Sequence, residues 1–135
     1  MQISFDLPHV FGPGSNPESN AYALRILLDS LIQLNLVFLQ NHTVPALYRS
    51  GVVYGRTKIW DTIPALYIRR YGDCKSLSAA LIAEYRHKGI ECQPSFRWRP
   101  AQNGTRDYHI LVQTNRGFED PSKVLGMGQN ENQKW

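Results

Sequence analysis

The central part of the chain reads YGDCKSLSAALIAEYRHKG (residues 71–89), and it carries a strong helical pattern. Apolar and small residues recur along it at helical spacing, which predicts an amphipathic helix from about Cys74 to about Lys88. Asp73 is a favourable N-cap residue, and Gly89 suits the position just beyond a helix C-terminus. The sequence therefore predicts a core helix with Cys74 in its first turn.

Helical patterns lie upstream of this segment, and strand patterns lie downstream. A cap at Ser15 or Asn16, Pro17 in the first turn and leucines at helical spacing from Leu24 predict a core helix that runs to about Leu39. A shorter helical pattern occupies residues 60–70. Alternating apolar residues predict strands at residues 90–99, 107–114 and 118–120. Helices followed by an antiparallel sheet are typical of the α+β class, and we expect the central helix to pack on a small antiparallel sheet.

The ends of the chain carry weaker signals. Residues 1–7 alternate enough for a short edge strand, and residues 12–17 (GPGSNP) form a turn cluster that also suits a helix start. The tail is rich in glycine and amide side chains, so we expect it to be flexible. The 135 residues fit one domain, divided into an N-terminal helical part (1–55), a core (56–125) and the tail (126–135).

Composition and charge exclude several classes of function. The formal net charge of +4 is too small to indicate nucleic-acid binding, and no histidines and acids have metal-ligand spacing. The start has no basic region before an apolar run, so no signal peptide is predicted. Arg25 and Asp29 interrupt the apolar residues 24–39, which argues against a membrane span. We therefore expect a soluble cytoplasmic protein with no metal or cofactor and no nucleic-acid or membrane partner.

Three residues could together perform chemistry: Cys74 at the helix start, His109 within a strand and Asp120 at the end of the next strand. A hairpin around residues 115–117 would bring Asp120 close to His109 by local pairing alone. The carboxylate would then fix the tautomer of the imidazole, and the imidazole would accept the proton of the thiol. This set predicts a cysteine nucleophile with a histidine base.

Cys74 is expected to ionise more readily than an ordinary thiol. A helix N-terminus presents unpaired N–H groups and the positive end of the helix dipole, and both favour the thiolate. Lys75 and Ser76 follow and are polar, so the thiol need not be sealed in the core. Each residue of the set also has an ordinary interpretation: Cys74 as a core residue, His109 as a satisfied core histidine and Asp120 as a turn residue.

Both ends of the central helix resemble the nucleophile segment of the transglutaminase-like superfamily. Residues 72–74 (Gly-Asp-Cys) open the helix, and residues 89–90 (Gly-Ile) follow it and lead to a strand. In that family a histidine in a strand and an aspartate before a proline come next, and His109 and Asp120 match them in order. The resemblance covers residues 58–124, about half of the chain.

This resemblance implies a papain-type fold and acyl chemistry on protein amides. The thiolate of Cys74 would attack the carbonyl carbon, and ammonia or an amine would leave. An amine would then accept the acyl group in crosslinking, and water would accept it in deamidation. A cysteine peptidase with the same triad and a non-catalytic binding module on the same fold are the alternatives. The expected partner is a protein or peptide substrate.

The oxyanion of such a reaction needs hydrogen-bond donors. The backbone N–H of Cys74 is one candidate, and Trp60, Tyr54 or Tyr71 could supply a second. Trp98 stands between two arginines and could line a substrate groove. Both tryptophans also have an ordinary interpretation as packing residues.

Overall fold

The computed structural model of this protein describes residues 2–3, 17–100 and 106–128, and it combines helices with small sheets. The predicted turn cluster before residue 17 and the tail after residue 128 lie outside the described residues. The predicted central helix is present, and the predicted N-terminal helix begins at Pro17, as expected, and ends at Asn41, two residues beyond the expected end. The helices in chain order are α1 (Pro17–Asn41), α2 (Ile63–Arg69), α3 (Cys74–His87) and α4 (Pro121–Val124).

The strands form three small sheets within the described residues. In chain order they are β1 (Gln2–Ile3), β2 (Val53–Tyr54), β3 (Trp60–Asp61), β4 (Tyr71–Gly72), β5 (Cys92–Pro100), β6 (Arg106–Thr114) and β7 (Gly117–Glu119). β5, β6 and β7 form an antiparallel sheet with β6 in the centre. β1 pairs antiparallel with β3, and β2 pairs in parallel with β4. This mixture of helices and small sheets agrees with the predicted α+β class.

The core is built around α3. Positions 75–83 of this helix are all buried, because α1 and β6 both pack against it. Full burial of one leucine or isoleucine side chain stabilises a fold by about 1.5–3 kcal/mol, so this packing holds the start of α3 firmly. The fully buried large side chains of these three elements are Leu28, Leu31, Ile32, Leu77, Leu81, Ile82, Ile110 and Val112.

α1 is more apolar than the sequence argument allowed. Its segment Ala21–Asn41 has a mean hydropathy of 1.5 and is long and apolar enough to cross a membrane, despite Arg25 and Asp29. Leu28 and Leu31 on one side are fully buried in the core, as in a core helix of a soluble protein, but a signal sequence passes the same test. The cytoplasmic location therefore stays a prediction.

A buried polar side chain of α1 fixes the segment before α3. Asn35 is fully buried, and its Oδ1 accepts a hydrogen bond from the backbone N–H of Ile63 at 2.8 Å. Ile63 is the first residue of α2, where a helix has no intrahelical acceptor for its N–H groups. Asn35 thus caps α2 from another helix and ties α2 to the core.

We expect Asn35→Ala to lower the free energy of unfolding by about 2 kcal/mol, because it leaves a buried N–H without an acceptor. Urea unfolding followed by circular dichroism measures the change. Gln33→Ala is the matched control, since Gln33 is exposed on the same helix and should change stability by less than about 0.5 kcal/mol. Equal effects of the two substitutions would contradict the capping role.

Candidate active site

Cys74 is the first residue of α3, and the local chain holds it there. Asp73 caps the helix, because its Oδ1 accepts a hydrogen bond from the backbone N–H of Lys75 at 3.3 Å. The pairing of β4 with β2 fixes the chain just before the cap. A Cβ on Gly72 would stand 2.7 Å from a leucine methyl of α2, so the chain needs glycine at this close approach.

The polar residues after Cys74 are themselves buried, but Cys74 is only partly buried and lines a cavity, so the thiol is not sealed in the core. Lys75 Nζ donates to the backbone oxygen of Thr57 at 2.7 Å and forms an ion pair with the capping aspartate. Ser76 Oγ accepts a hydrogen bond from the backbone N–H of Asp61 at 3.0 Å. These partners replace water for each polar group, so both side chains can be buried.

His109 and Asp120 contact each other, as the hairpin pattern predicted. His109 lies in β6 and is 3% exposed, and Asp120 directly follows β7. His109 Nε2 lies 2.6 Å from Asp120 Oδ2. A carboxylate only accepts hydrogen bonds, so Nε2 carries the proton and Nδ1 is the basic nitrogen of the neutral ring.

The other oxygen of Asp120 caps α4. Its Oδ1 accepts hydrogen bonds from the backbone N–H groups of Ser122 at 3.1 Å and Lys123 at 3.3 Å. Burial acts to raise the pKa of Asp120, but the hydrogen bond and the charge of His109, helped by the cap, lower it below its ordinary value. Asp120 is therefore an ionised carboxylate at neutral pH, held in place from both sides.

Glu119 anchors the end of β7, a role that the sequence analysis missed. Tyr48 donates to Glu119 Oε2 at 2.5 Å, and Tyr85 donates to Oε1 at 2.7 Å. Burial and the adjacent carboxylate raise the pKa of both tyrosines, so they keep their protons and remain donors. Strand alternation was the available signal, because it places Glu119 on the face opposite to exposed Phe118. The anchor holds the backbone from which Asp120 projects.

Cys74 and His109 line one cavity of about 440 Å³. The backbone of Ile110, the residue after His109, lies close enough to Cys74 to act on the pKa of its thiol. The structure therefore gathers the three predicted residues, with Asp120 behind the imidazole. The other lining residues come from the segment after β2, the ends of β5 and β6, and the turn after α4: Tyr54, Arg56, Thr57, Lys58, Asp73, Arg99, Asp107, Tyr108 and Met127.

Among the four aromatic candidates, Tyr54 lines this cavity and the others lie outside its lining. Burial and the charges of nearby Cys74 and Asp73 raise the pKa of Tyr54, so its hydroxyl keeps a proton that it can donate. The remaining three have other surroundings. Trp60 is buried beneath Lys75, Tyr71 is partly exposed beside Arg69, and Trp98 is half-exposed on β5.

Cys74 has a raised pKa, which corrects the expectation of a ready thiolate. Burial and the carboxylate of Asp73 raise the pKa of Cys74 to about 12, although the Ile110 backbone and Lys75 act to lower it. The cost of desolvating the anion thus outweighs the favourable groups at the helix start. Without a base the thiol is protonated at neutral pH, so its reactivity depends on His109.

We expect His109→Gln to shift the alkylation of Cys74 by iodoacetamide to strongly alkaline pH. Glutamine cannot accept the thiol proton, and below its pKa the thiolate fraction of Cys74 falls about tenfold per pH unit. The wild-type protein should react at neutral pH, and faster at Cys74 than at Cys92. Peptide mapping of the labelled cysteines at each pH measures both rates, and Cys92 serves as the internal control. Identical pH profiles for Cys74 in the two proteins would contradict the role of His109.

The site holds a thiol, an imidazole and a carboxylate. Within the part of the chain that the structure describes, no group of three or more His, Cys, Asp and Glu side chains could hold a metal ion. The thiol, the imidazole and the carboxylate can perform proton transfer and nucleophilic attack. Comparisons of the chain with family models, curated proteins and solved structures found no match.

Proposed function

We propose that this protein is a cysteine-dependent acyltransferase of transglutaminase-like, papain-type fold, which acts on amide groups of proteins by crosslinking or deamidation. One observation supports it above all. Cys74, at the start of a buried helix, shares a cavity with His109, whose ring is hydrogen-bonded to Asp120 at 2.6 Å. This is the arrangement that a cysteine nucleophile with an oriented base requires.

In the first half of the reaction, Cys74 forms a thioester with the substrate. His109 Nδ1 accepts the thiol proton while Sγ attacks the carbonyl carbon of a glutamine side chain. The resulting imidazolium donates its proton to the amide nitrogen, the C–N bond breaks, and ammonia leaves. Asp120 stabilises the imidazolium during this step and keeps the ring oriented.

In the second half, an acceptor releases the acyl group from Cys74. His109 removes a proton from a primary amine or from water as that acceptor attacks the thioester carbonyl. The C–S bond then breaks, and the proton returns to the sulfur. A primary amine yields an isopeptide crosslink, and water yields glutamate.

Tyr54 and the backbone N–H of Cys74 are the donors that we assign to the oxyanion. The first N–H groups of a helix have no intrahelical acceptor, and Tyr54 lines the cavity with a hydroxyl that keeps its proton.

We expect Tyr54→Phe to lower kcat by about 10²-fold or more, since one oxyanion donor is lost. The matched control is Tyr22→Phe, an exposed tyrosine of α1, which should leave kcat unchanged. Equal kcat values for the two variants would show that Tyr54 does not donate a hydrogen bond to the oxyanion.

An assay with a glutamine-containing protein and a fluorescent primary amine tests the proposal. We expect amine incorporation, detected in the protein band, and ammonia release in both the presence and absence of the amine. Mass spectrometry of the substrate separates the outcomes: a glutamine that carries the amine, a glutamate, or a cleaved peptide bond. Cleavage with neither other product would favour a cysteine peptidase with the same triad.

The raised pKa of Cys74 favours a second candidate, a non-catalytic binding module on the same fold. A thiol that never ionises would be an ordinary buried side chain. In that case no product of the three kinds would form, and substitution of Cys74 would leave partner binding intact. The His109–Asp120 contact argues for the enzyme, because a binding module has no need of an oriented base.

A further inference from the structure

The candidate active-site cavity has an uneven distribution of charge. Its lining contains three basic side chains, Arg56, Lys58 and Arg99, and two acidic ones, Asp73 and Asp107. The whole chain has a net charge of only +4, so local pairing decides which of these charges a substrate would meet.

Both acidic groups have basic partners. Asp73 forms an ion pair with a buried lysine in the first turn of α3, and Asp107 Oδ2 lies 3.9 Å from Arg99 Nε. Within the described residues, neither Arg56 nor Lys58 forms an ion pair with a carboxylate. The cavity therefore retains two positive charges without carboxylate partners.

These two cations share one wall of the cavity. Arg56 and Lys58 both lie in the segment between β2 and β3, and both are exposed to solvent. Tyr54, two residues before Arg56 in the chain, lines the same cavity. Cations at the mouth of a cleft attract anionic groups and repel cationic ones.

We infer that the substrate is an acidic peptide segment, with aspartate or glutamate next to the reacting glutamine, and that Arg56 and Lys58 bind those carboxylates. This inference rests on the proposed function, whose site it uses. The cavity of about 440 Å³ has room for the reacting side chain. The neighbouring residues of the substrate would then lie at its mouth, beside the basic wall.

Binding of peptides to the Cys74→Ala protein tests this inference apart from turnover. The probes are three fluorescent peptides that contain one glutamine flanked by aspartates, by serines or by lysines. We expect the acidic peptide to bind about tenfold more tightly than the basic one at low ionic strength, and the difference to shrink at about 0.3 M salt. Equal Kd values would overturn the inference, whether or not the wild-type protein turns over any of the peptides.

Charge reversal of a residue in the basic wall of the cavity tests whether that wall causes the preference for the acidic peptide. Lys58→Glu in the Cys74→Ala background should abolish the preference for the acidic peptide, seen as nearly equal Kd values for the acidic and the serine-flanked peptides. Arg116→Glu makes the same change of charge in the turn between β6 and β7, outside the cavity lining, and should keep the preference. Equal losses in both variants would assign the effect to net charge and overturn the role of the wall. Failure of the serine-flanked peptide to react in the wild-type protein would count against the proposed function alone.

Discussion

Replacement of Cys74 by alanine should abolish amine incorporation and ammonia release, with a loss of at least about 10⁴-fold in kcat. In the proposed reaction the sulfur forms the only covalent bond between protein and substrate, and the described lining of the cavity contains no second thiol. The backbone N–H at position 74 would remain, so binding of the substrate should persist. The rate of amine incorporation, measured with a fluorescent amine, checks this expectation.

The fold should tolerate this substitution, so a loss of activity can be assigned to the missing sulfur and not to unfolding. Cys74 is only partly buried and stands at the end of a helix, so we expect a change in stability of less than about 1 kcal/mol. Cys92→Ala is the matched control, because Cys92 is also partly buried and free, and lies outside the cavity lining. Cys92→Ala should keep full activity. Crosslinking that survives in Cys74→Ala would rule out the covalent mechanism.

The elements nearest to each other in the chain were the ones that the sequence predicted well. The cap at Asp73 and the periodicity after Cys74 determine α3 through contacts within a few residues. His109 and Asp120 are 11 residues apart and meet through one tight hairpin, so pairing alone brings them together. The approach of Cys74 to His109 depends on how α3 packs on β6, and a family resemblance suggested it where local patterns could not.

Features that depend on distant partners were missed or misjudged. The sequence showed only that Lys75 and Ser76 are polar, but Thr57 and Asp61 supply partners that let both side chains be buried. The raised pKa of Cys74 has the same origin, because burial depends on the whole packed site. Local sequence rules predict the helix dipole, which lowers the pKa of a thiol, but they do not predict the burial that raises it.

The charges that line the cavity could also not be predicted from local sequence patterns. The arginine at position 99 stood out in the sequence through the tryptophan beside it, but Asp107 pairs with it across the sheet. Arg56 and Lys58 lie in a segment without periodicity, so no pattern marked them. They become notable only because β2 pairs with β4 and so carries the segment after Tyr54 to the mouth of the cavity.

The replacement Asp120→Asn should lower kcat by about 10²- to 10⁴-fold while α4 remains capped. Asparagine keeps an oxygen that can accept the hydrogen bonds from Ser122 and Lys123, but it turns an NH₂ group toward His109. That group cannot accept the proton on Nε2, so the ring is no longer held with Nδ1 as its basic nitrogen. Asp29→Asn, an exposed change on α1, is the control and should leave kcat unchanged.

Two further measurements separate orientation of the ring from simple destabilisation. The pKa of Asp120 is lowered by folding, so its ionised form stabilises the protein above its unfolded pKa of about 3.9, and this stability is lost as the pH falls through the lower folded pKa. The free energy of unfolding of Asp120→Asn should therefore not show the loss that protonation of Asp120 causes in the wild-type protein as the pH falls. Because Asp120 acts through His109, adding Asp120→Asn to His109→Gln should cause no further loss of kcat. Additive losses in that double variant would mean that the carboxylate acts on the reaction by a route other than the imidazole.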